Sequence, residues 1–346
     1  MKSLAVVASG MVTPIGFDAP ATLAALRAGV SAISRVPWVD PETGGPLRGA
    51  KVALPQWWEG VGKLADLVAP AIEECLREAG PTPARDIPVL IGVAPPDRPA
   101  RTAGCEAELL KEVEARLGGP LHRDSAIFAT GQTACAHGLM HADALLNSAV
   151  APMCIVAGVD SYLQQPTLDF YIKQRRVMTA SNSNGFFPGE AGSAVLVTTP
   201  QGAAGRPALR ILGFGIAMET AAIGSTKPLR AIGLTQAVRE SLKMARIEMK
   251  DVAFRLTDLS GEHYKFKEAS FVATRLDRGP RAEPLPLWHP SEFLGEIGAA
   301  ILPCLLAWAM HAQRKDYAPG PIALSHVGND AGERCALVTE CGFAEE

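Results

Sequence analysis

The sequence predicts an α/β protein made of two similar βα halves, and three observations predict it. A faint internal repeat comes first. Ala71-Ile-Glu-Glu-Cys-Leu-Arg-Glu-Ala-Gly80 precedes a Pro/Asp linker and the apolar strand Pro88 to Val93, and Ala237 to Arg246 precedes Ile-Glu-Met-Lys-Asp and the strand Val252 to Leu256. The two helices match at Ala71/Ala237, Glu74/Glu240, Leu76/Leu242 and Ala79/Ala245. Amphipathic helices converge on such residues, but a following strand at the same spacing favours duplication. The second observation is a strand-to-helix turn at Cys135, between the apolar run Asp124 to Ala129 and the Ala/Leu-rich run Leu139 to Ser148. The third is composition: 346 residues, 48% hydrophobic and 20% charged, fit one large folded unit and exclude disorder.

Taken in order, Leu4 to Ala8 reads as a strand, followed by the loop Gly10-Met-Val-Thr-Pro-Ile-Gly16. Segment 94 to 104, rich in proline, arginine and alanine, reads as a surface loop. Cys154-Ile-Val-Ala-Gly-Val-Asp160 reads as a strand, and Gly185-Phe-Phe-Pro-Gly-Glu-Ala-Gly192 as a turn running into the strand Ser193 to Val197. The Gly/Pro-containing turn Gln201 to Pro207 precedes the strand Leu209 to Leu212 and divides the chain into halves 1–203 and 204–346 of a single domain. Leu294-Gly-Glu-Ile-Gly-Ala-Ala300 leads into an apolar helix. The uncharged run Ile297 to Met310 covers 14 residues and contains Pro303. A membrane span needs about 20 residues, so this run is predicted to be a buried helix.

Cys135 lies in Gln132-Thr133-Ala134-Cys135-Ala136-His137-Gly138. At a helix start the first N–H groups lack partners and the positive end of the dipole favours an anion, which lowers a thiol's pKa and makes a nucleophile. A packed core thiol is the competing reading, because free cysteine is among the most buried residue types.

Thr-Ala-Cys-Ala-x-Gly followed by a small-residue helix and the Cys154 strand resembles the nucleophile segment of the β-ketoacyl synthases of the thiolase superfamily. The Gly10 loop, the Gly185 turn and the Leu294 segment are similar to three further family segments, in the family's order across nearly the whole chain. The resemblance implies a thiolase-like fold in which two βα halves pack their sheets around buried helices, with a reduced C-terminal half. It implies a homodimer joined partly through the strand Met153 to Ala157 and the Asp160-Ser-Tyr-Leu163 segment after it, and an acyl carrier protein or coenzyme A thioester as partner. It also implies acyl transfer to Cys135 as nucleophile, supported by two basic side chains. At the positions of the family's two histidines stand Ser260 and Glu292, and Leu287 stands at its lysine. His263 and His289 lie three residues from Ser260 and Glu292. The family's oxyanion turn corresponds to Ser325 to Arg334, with His326, Gly328 and Asn329 as its substrate-binding residues and Asp330 as an acidic neighbour. Two functions follow from the resemblance. One is a divergent synthase-like acyltransferase in fatty acid or polyketide biosynthesis, and the other is a catalytically reduced homologue serving as adaptor, chaperone or partner subunit. A thioester hydrolase would need only the cysteine, water and a base such as Glu292 or His289.

The net charge of −3 and the lack of a Lys/Arg cluster exclude a nucleic-acid surface, and Lys173 to Arg176 reads as a solvated loop. Seven cysteines without Cys-x-x-Cys spacing imply neither a zinc site nor a disulfide framework. His137 and His141 are spaced i, i+4 without a third ligand and read as packed side chains, so no metal or cofactor is expected. The N-terminal apolar run is too short for a signal peptide, and the chain is expected in the cytoplasm.

Overall fold

A computed structural model describes residues 4–343 other than 57 and 282. The first half comprises β1 (Leu4–Val12), α1 (Ala19–Arg27), the hairpin β2 (Ser34–Val39) and β3 (Pro46–Gly49), α2 (Val61–Glu78), β4 (Val89–Gly92), α3 (Cys105–Leu117), β5 (Ala126–Phe128), α4 (Ala134–Asn147), β6 (Met153–Ser161), α5 (Gln165–Lys173) and β7 (Glu190–Thr198). The second comprises β8 (Pro207–Met218), α6 (Ile232–Ala245), β9 (Phe254–Thr257), α7 (His263–Leu276), β10 (Leu287–Trp288), α8 (Ser291–Leu294), α9 (Ile301–Arg314), β11 (Ile322–Gly328) and β12 (Glu333–Phe343).

The strand order β10-β9-β11-β12-β8-β1-β7-β6-β4-β5 is its own mirror in chain order, because β1, β7, β6, β4 and β5 correspond to β8, β12, β11, β9 and β10. The directions correspond too. The β7–β6 and β12–β11 pairs are antiparallel, and β4–β6 and β9–β11 are parallel. The two sets meet where β1 and β8 pair over only Leu4–Val6 and Leu209–Ile211.

The sequence repeat lands on α2 and α6, and its contacts repeat as well. A Cβ on Gly10 of β1 would lie 2.0 Å from the Ala71 carbonyl of α2, and one on Gly215 of β8 would lie 2.1 Å from the Ala237 carbonyl of α6. Ala71 and Ala237 are a matched pair of the repeat, so glycine lets each helix lie directly on its sheet. Gly215→Ala is expected to lower stability by about 1–3 kcal/mol through overpacking, read as a shifted urea midpoint. An unchanged midpoint would contradict this packing.

The largest cluster of buried side chains lies around α4 and α9. In α9 every residue from Ile301 to Met310 is buried, as expected for a helix covered by strands of both halves. The matching expectation for α4 is met on one face only: Cys135, Leu139, Ala142 and Leu146 are buried, whereas Met140 is 45% exposed. Its neighbour β5 explains this, being three residues long and at the sheet's edge, so among the described residues little covers the outer face.

The expected dimer strand needs correction. β6 is paired along its whole length, with β7 from Met153 to Ser161 and with β4 from Ile155 to Gly158, so it cannot pair with a twin. Its apolar run is that of a central strand. Among the described residues, the sheet edge on the first half belongs to β5, and that on the second to β10. Among the described residues, no helix is long and apolar enough to cross a membrane.

Candidate active site

The chain passes from β5 through a 3-10 turn, Gly131–Thr133, directly into α4. Cys135 is the second residue of that helix, yet its sulfur points into the sheet. Sγ lies 3.2 Å from the Ala157 carbonyl and 3.3 Å from that of Ala299, so the thiol donates to backbone oxygen. A Cβ on Gly92 or Gly158 would come within 2.8 or 2.9 Å of the sulfur, so glycines on β4 and β6 form its seat. The side chain is 1% exposed, and burial pushes the thiol up to about 12 despite a backbone hydrogen bond at Gly92. In place of the lowered pKa expected from the helix start, burial is the largest influence and acts in the opposite direction.

Charged side chains fill the junction in front of the helix. Gln132 donates from Nε2 to the Tyr162 hydroxyl and to Glu296 Oε1, each at 3.3 Å. Glu296 also accepts from the Gly298 N–H, and its other oxygen meets Lys265 Nζ at 3.2 Å. Lys265 reaches Asp258 Oδ2 at 3.2 Å, and that oxygen accepts the Gly328 N–H at 3.0 Å. Lys265, Asp258 and Glu296 are each at least 92% buried. Burial disfavours the ammonium, but the two carboxylates outweigh it and hold the Lys265 pKa above its ordinary value. Behind this, Arg98 pairs with Asp160 in the core. Asp160 accepts the N–H groups of Ser161 and Ala299, and Gly298 (φ 52°) leaves room for that carboxylate.

A second cluster ties α4 to the β11–β12 turn. Thr133 donates to Glu333, His137 Nε2 lies 3.0 Å from the same carboxylate, and Asn329 Nδ2 donates to Thr133 and to the Thr130 carbonyl. A third joins Arg176 to Glu262 and Asp330 at 2.7 Å each, so Arg176 is an inward ion pair at the end of a run expected to be solvated. Within segment 94 to 104, Arg98 likewise turns into the core. Between the clusters, Asp258, Lys265, Glu268, His326, Asn329 and Arg334 enclose a cavity of about 20 Å³, room for roughly one water. Burial pushes His326 down to about 4, so it is neutral, and pushes Glu268 up to about 7 against the pull of Arg334.

Of the residues singled out in the sequence, His326, Gly328 and Asn329 line this cavity together. The Gly328 amide that would bind an oxyanion is already taken by Asp258. The others lie apart. Cys135 is not among the lining residues. Ser260 is buried, and among the described residues its hydroxyl has no hydrogen-bond partner. His263 is exposed at the start of α7, with its N–H on Asn184. His289 packs edge-on against Phe266, and Glu292 beside it is exposed. The carboxylate that reaches the junction is Glu296, not Glu292. The sequence reading passed over Gln132, Asp258, Lys265, Glu296, Thr133 and Glu333. One signal was available: Lys265 and Glu268 sit on the same helical face as the buried Ala269 and Val272, where an unpaired charge is not tolerated.

The His137–Glu333 pair makes stability pH-dependent. Its hydrogen bond to Glu333 raises the His137 pKa above 6.5, with burial opposing. Burial alone would raise Glu333, but His137 and Thr133 bring it below 4.5. The histidine's contribution is full below its unfolded value and is lost as pH rises through the raised value. The glutamate's is lost as pH falls through the lowered one. Stability is thus expected to decline as pH rises from 6 to 8, and His137→Ala is expected to flatten that slope in urea titrations. An identical slope in both proteins would refute it.

No known protein family matches the sequence, and no curated protein is significantly similar to it. Solved structures do match over nearly the whole chain. A ketosynthase in complex with its chain length factor, from Xenorhabdus doucetiae, gives a TM-score of 0.79 at 14% identity, covering 99% of this chain and 98% of that one. An oxazolomycin ketosynthase domain from Streptomyces albus gives 0.79 at 14%, covering 100% of this chain and 76% of that one. A β-ketoacyl synthase from Burkholderia phymatum gives 0.74 at 14%, covering 98% and 99%. The chain therefore has the thiolase-like α/β fold of the ketosynthases.

Proposed function

We propose that this protein is a catalytically reduced ketosynthase-fold subunit that works by assembling with a partner, not by condensing acyl groups itself. The observation that carries this reading is the buried Cys135: a neutral thiol held by two carbonyls, with no histidine bonded to the sulfur among the described residues. The charged triad Asp258–Lys265–Glu296 is bonded through Gln132 to the turn before Cys135, and carboxylates beside a condensing site would oppose a developing enolate. Some solved neighbours are ketosynthases in complex with a chain length factor or with an acyl carrier protein, which supports a partner role for this fold.

The assembly surface we assign is the β5 edge with the outer face of α4. Its strand edge is unpaired, Phe128 is half-buried, and Met140 and Val150 are 45% and 41% exposed. Edges and apolar patches of this kind are normally covered. Pairing β5 with an equivalent strand, in a second copy or in a ketosynthase subunit, covers both. Light scattering of the purified chain at micromolar concentration is expected to give twice the monomer mass, and Met140→Asp to return it to one. A monomer in the unaltered protein would rule out a second copy as the partner on this edge.

A further inference from the structure

A second feature lies away from the Cys135 junction, where the C-terminal ends of α1, α2 and α9 converge beside β1. They enclose an open groove of about 810 Å³. Its origin is topological. β1 pairs with β8 only as far as Val6, and a bulge follows at Val7, so the strand edge beyond is left without a neighbour. Arg314 spans the opening, donating from Nη2 to the carbonyls of Val7 at 3.0 Å and Pro207 at 2.7 Å. Leu23, Ala24 and Met310 give the groove an apolar side, and Arg27, Arg77, Arg314 and Lys315 give it a basic one.

Basic residues at helix C-termini offset the negative dipole ends, and one cation per terminus would serve that purpose here. The groove carries more. Among the described residues none of these four cations makes an ion pair, and the Arg27 guanidinium lies 4.6 Å over the Tyr317 ring. Of the two lining carboxylates, Glu74 is occupied by the N–H groups of Met11 and Ala19 at 3.1 and 2.9 Å. Glu74 also feels Arg77 and Glu78 feels Arg314, so two carboxylates face four cations and the groove keeps a positive balance. His311 registers the field: burial lowers its pKa, and Lys315, Arg27 and Arg314 lower it further. In a chain of net charge −3, this is a local excess of positive charge beside apolar surface.

We propose that this groove binds an amphiphile with a single anionic head, a carboxylate or phosphate monoester, held by Arg27, Arg314 and Lys315, with its apolar chain along Leu23, Ala24 and Met310. Guanidinium groups take both head types through paired N–H donors, and Arg314 keeps donors free beyond those spent on the backbone. The volume suits a ligand of this size, since small-molecule sites occupy about 300–1,000 Å³. This inference is independent of the assembly reading, because it involves neither β5 nor α4.

Isothermal titration with decanoate, decyl phosphate, decyl maltoside and inorganic phosphate, below the micelle concentrations, tests it. At least one anionic decyl compound is expected to bind one-to-one with Kd below about 100 μM, and which of them binds identifies the head group. The neutral maltoside and inorganic phosphate are each expected to bind at least about tenfold more weakly, and Arg27→Glu with Lys315→Glu to weaken binding at least about tenfold. Circular dichroism checks that the double variant is folded. If it is not, Lys315→Gln and the salt dependence of the unaltered protein replace it, with weaker binding expected in both. No binding of either anionic compound below 1 mM, equal affinity for the maltoside or for inorganic phosphate, or affinity indifferent to charge reversal and salt would each overturn the proposal.

Discussion

Lys265→Ala is expected to lower folding stability by about 3–5 kcal/mol, the largest loss from a single substitution outside the apolar core. The reason is what remains behind. Lys265 is the shared partner of Asp258 and Glu296, and all three are almost wholly buried. Removing the ammonium leaves two carboxylates facing each other in the interior without compensation, and their desolvation is no longer offset. The effect reaches further than one ion pair. Glu296 holds Gln132 and the Gly298 N–H, and Asp258 holds the Gly328 N–H, so the substitution loosens the turn before α4 and both C-terminal loops together. Urea unfolding followed by circular dichroism measures it. A loss below about 1 kcal/mol would mean that water reaches the triad and screens it. Lys250→Ala, at an exposed pair with Glu248, is the control and should change nothing measurable.

Cys135 is expected to resist alkylation at least about a thousandfold compared with the same cysteine in the unfolded chain. With its thiol near 12, the thiolate fraction at pH 7 is about 10⁻⁵, against a few per cent for an ordinary cysteine. Burial slows the reagent further. Iodoacetamide labelling read by peptide mass spectrometry, with and without urea, gives the ratio. Labelling of native protein at the unfolded rate would show the sulfur open and ionisable, against the packing around Gly92 and Gly158.

The fold was readable in the sequence because it is written in repeated local patterns. The Ala71 and Ala237 helices both lie over a glycine of the first strand in their half, and the apolar Ile297 run became the buried α9. The strand-to-helix turn at Cys135 was also in place. Its chemistry was not readable, because whether a thiol at a helix start faces solvent or sheet depends on side chains far away in sequence, here Ala157 and Ala299. The position of Glu292 was not readable for a related reason. Matching glycines fixes a turn to within a few residues, and a shift of four separates an exposed glutamate from the buried Glu296. The dimer strand was misplaced because a fully buried central strand and an apolar edge strand read alike until their partners are known.

The most direct test of a buried, non-condensing Cys135 is intact-protein mass spectrometry after incubation with acyl and malonyl thioesters of coenzyme A and of a carrier protein, with Cys135→Ala alongside. The unaltered protein is expected to keep its own mass under every condition and to release no carbon dioxide from the malonyl thioesters above background. An acyl adduct that forms on the unaltered protein and disappears in Cys135→Ala would contradict the account and restore an acyl-transfer enzyme.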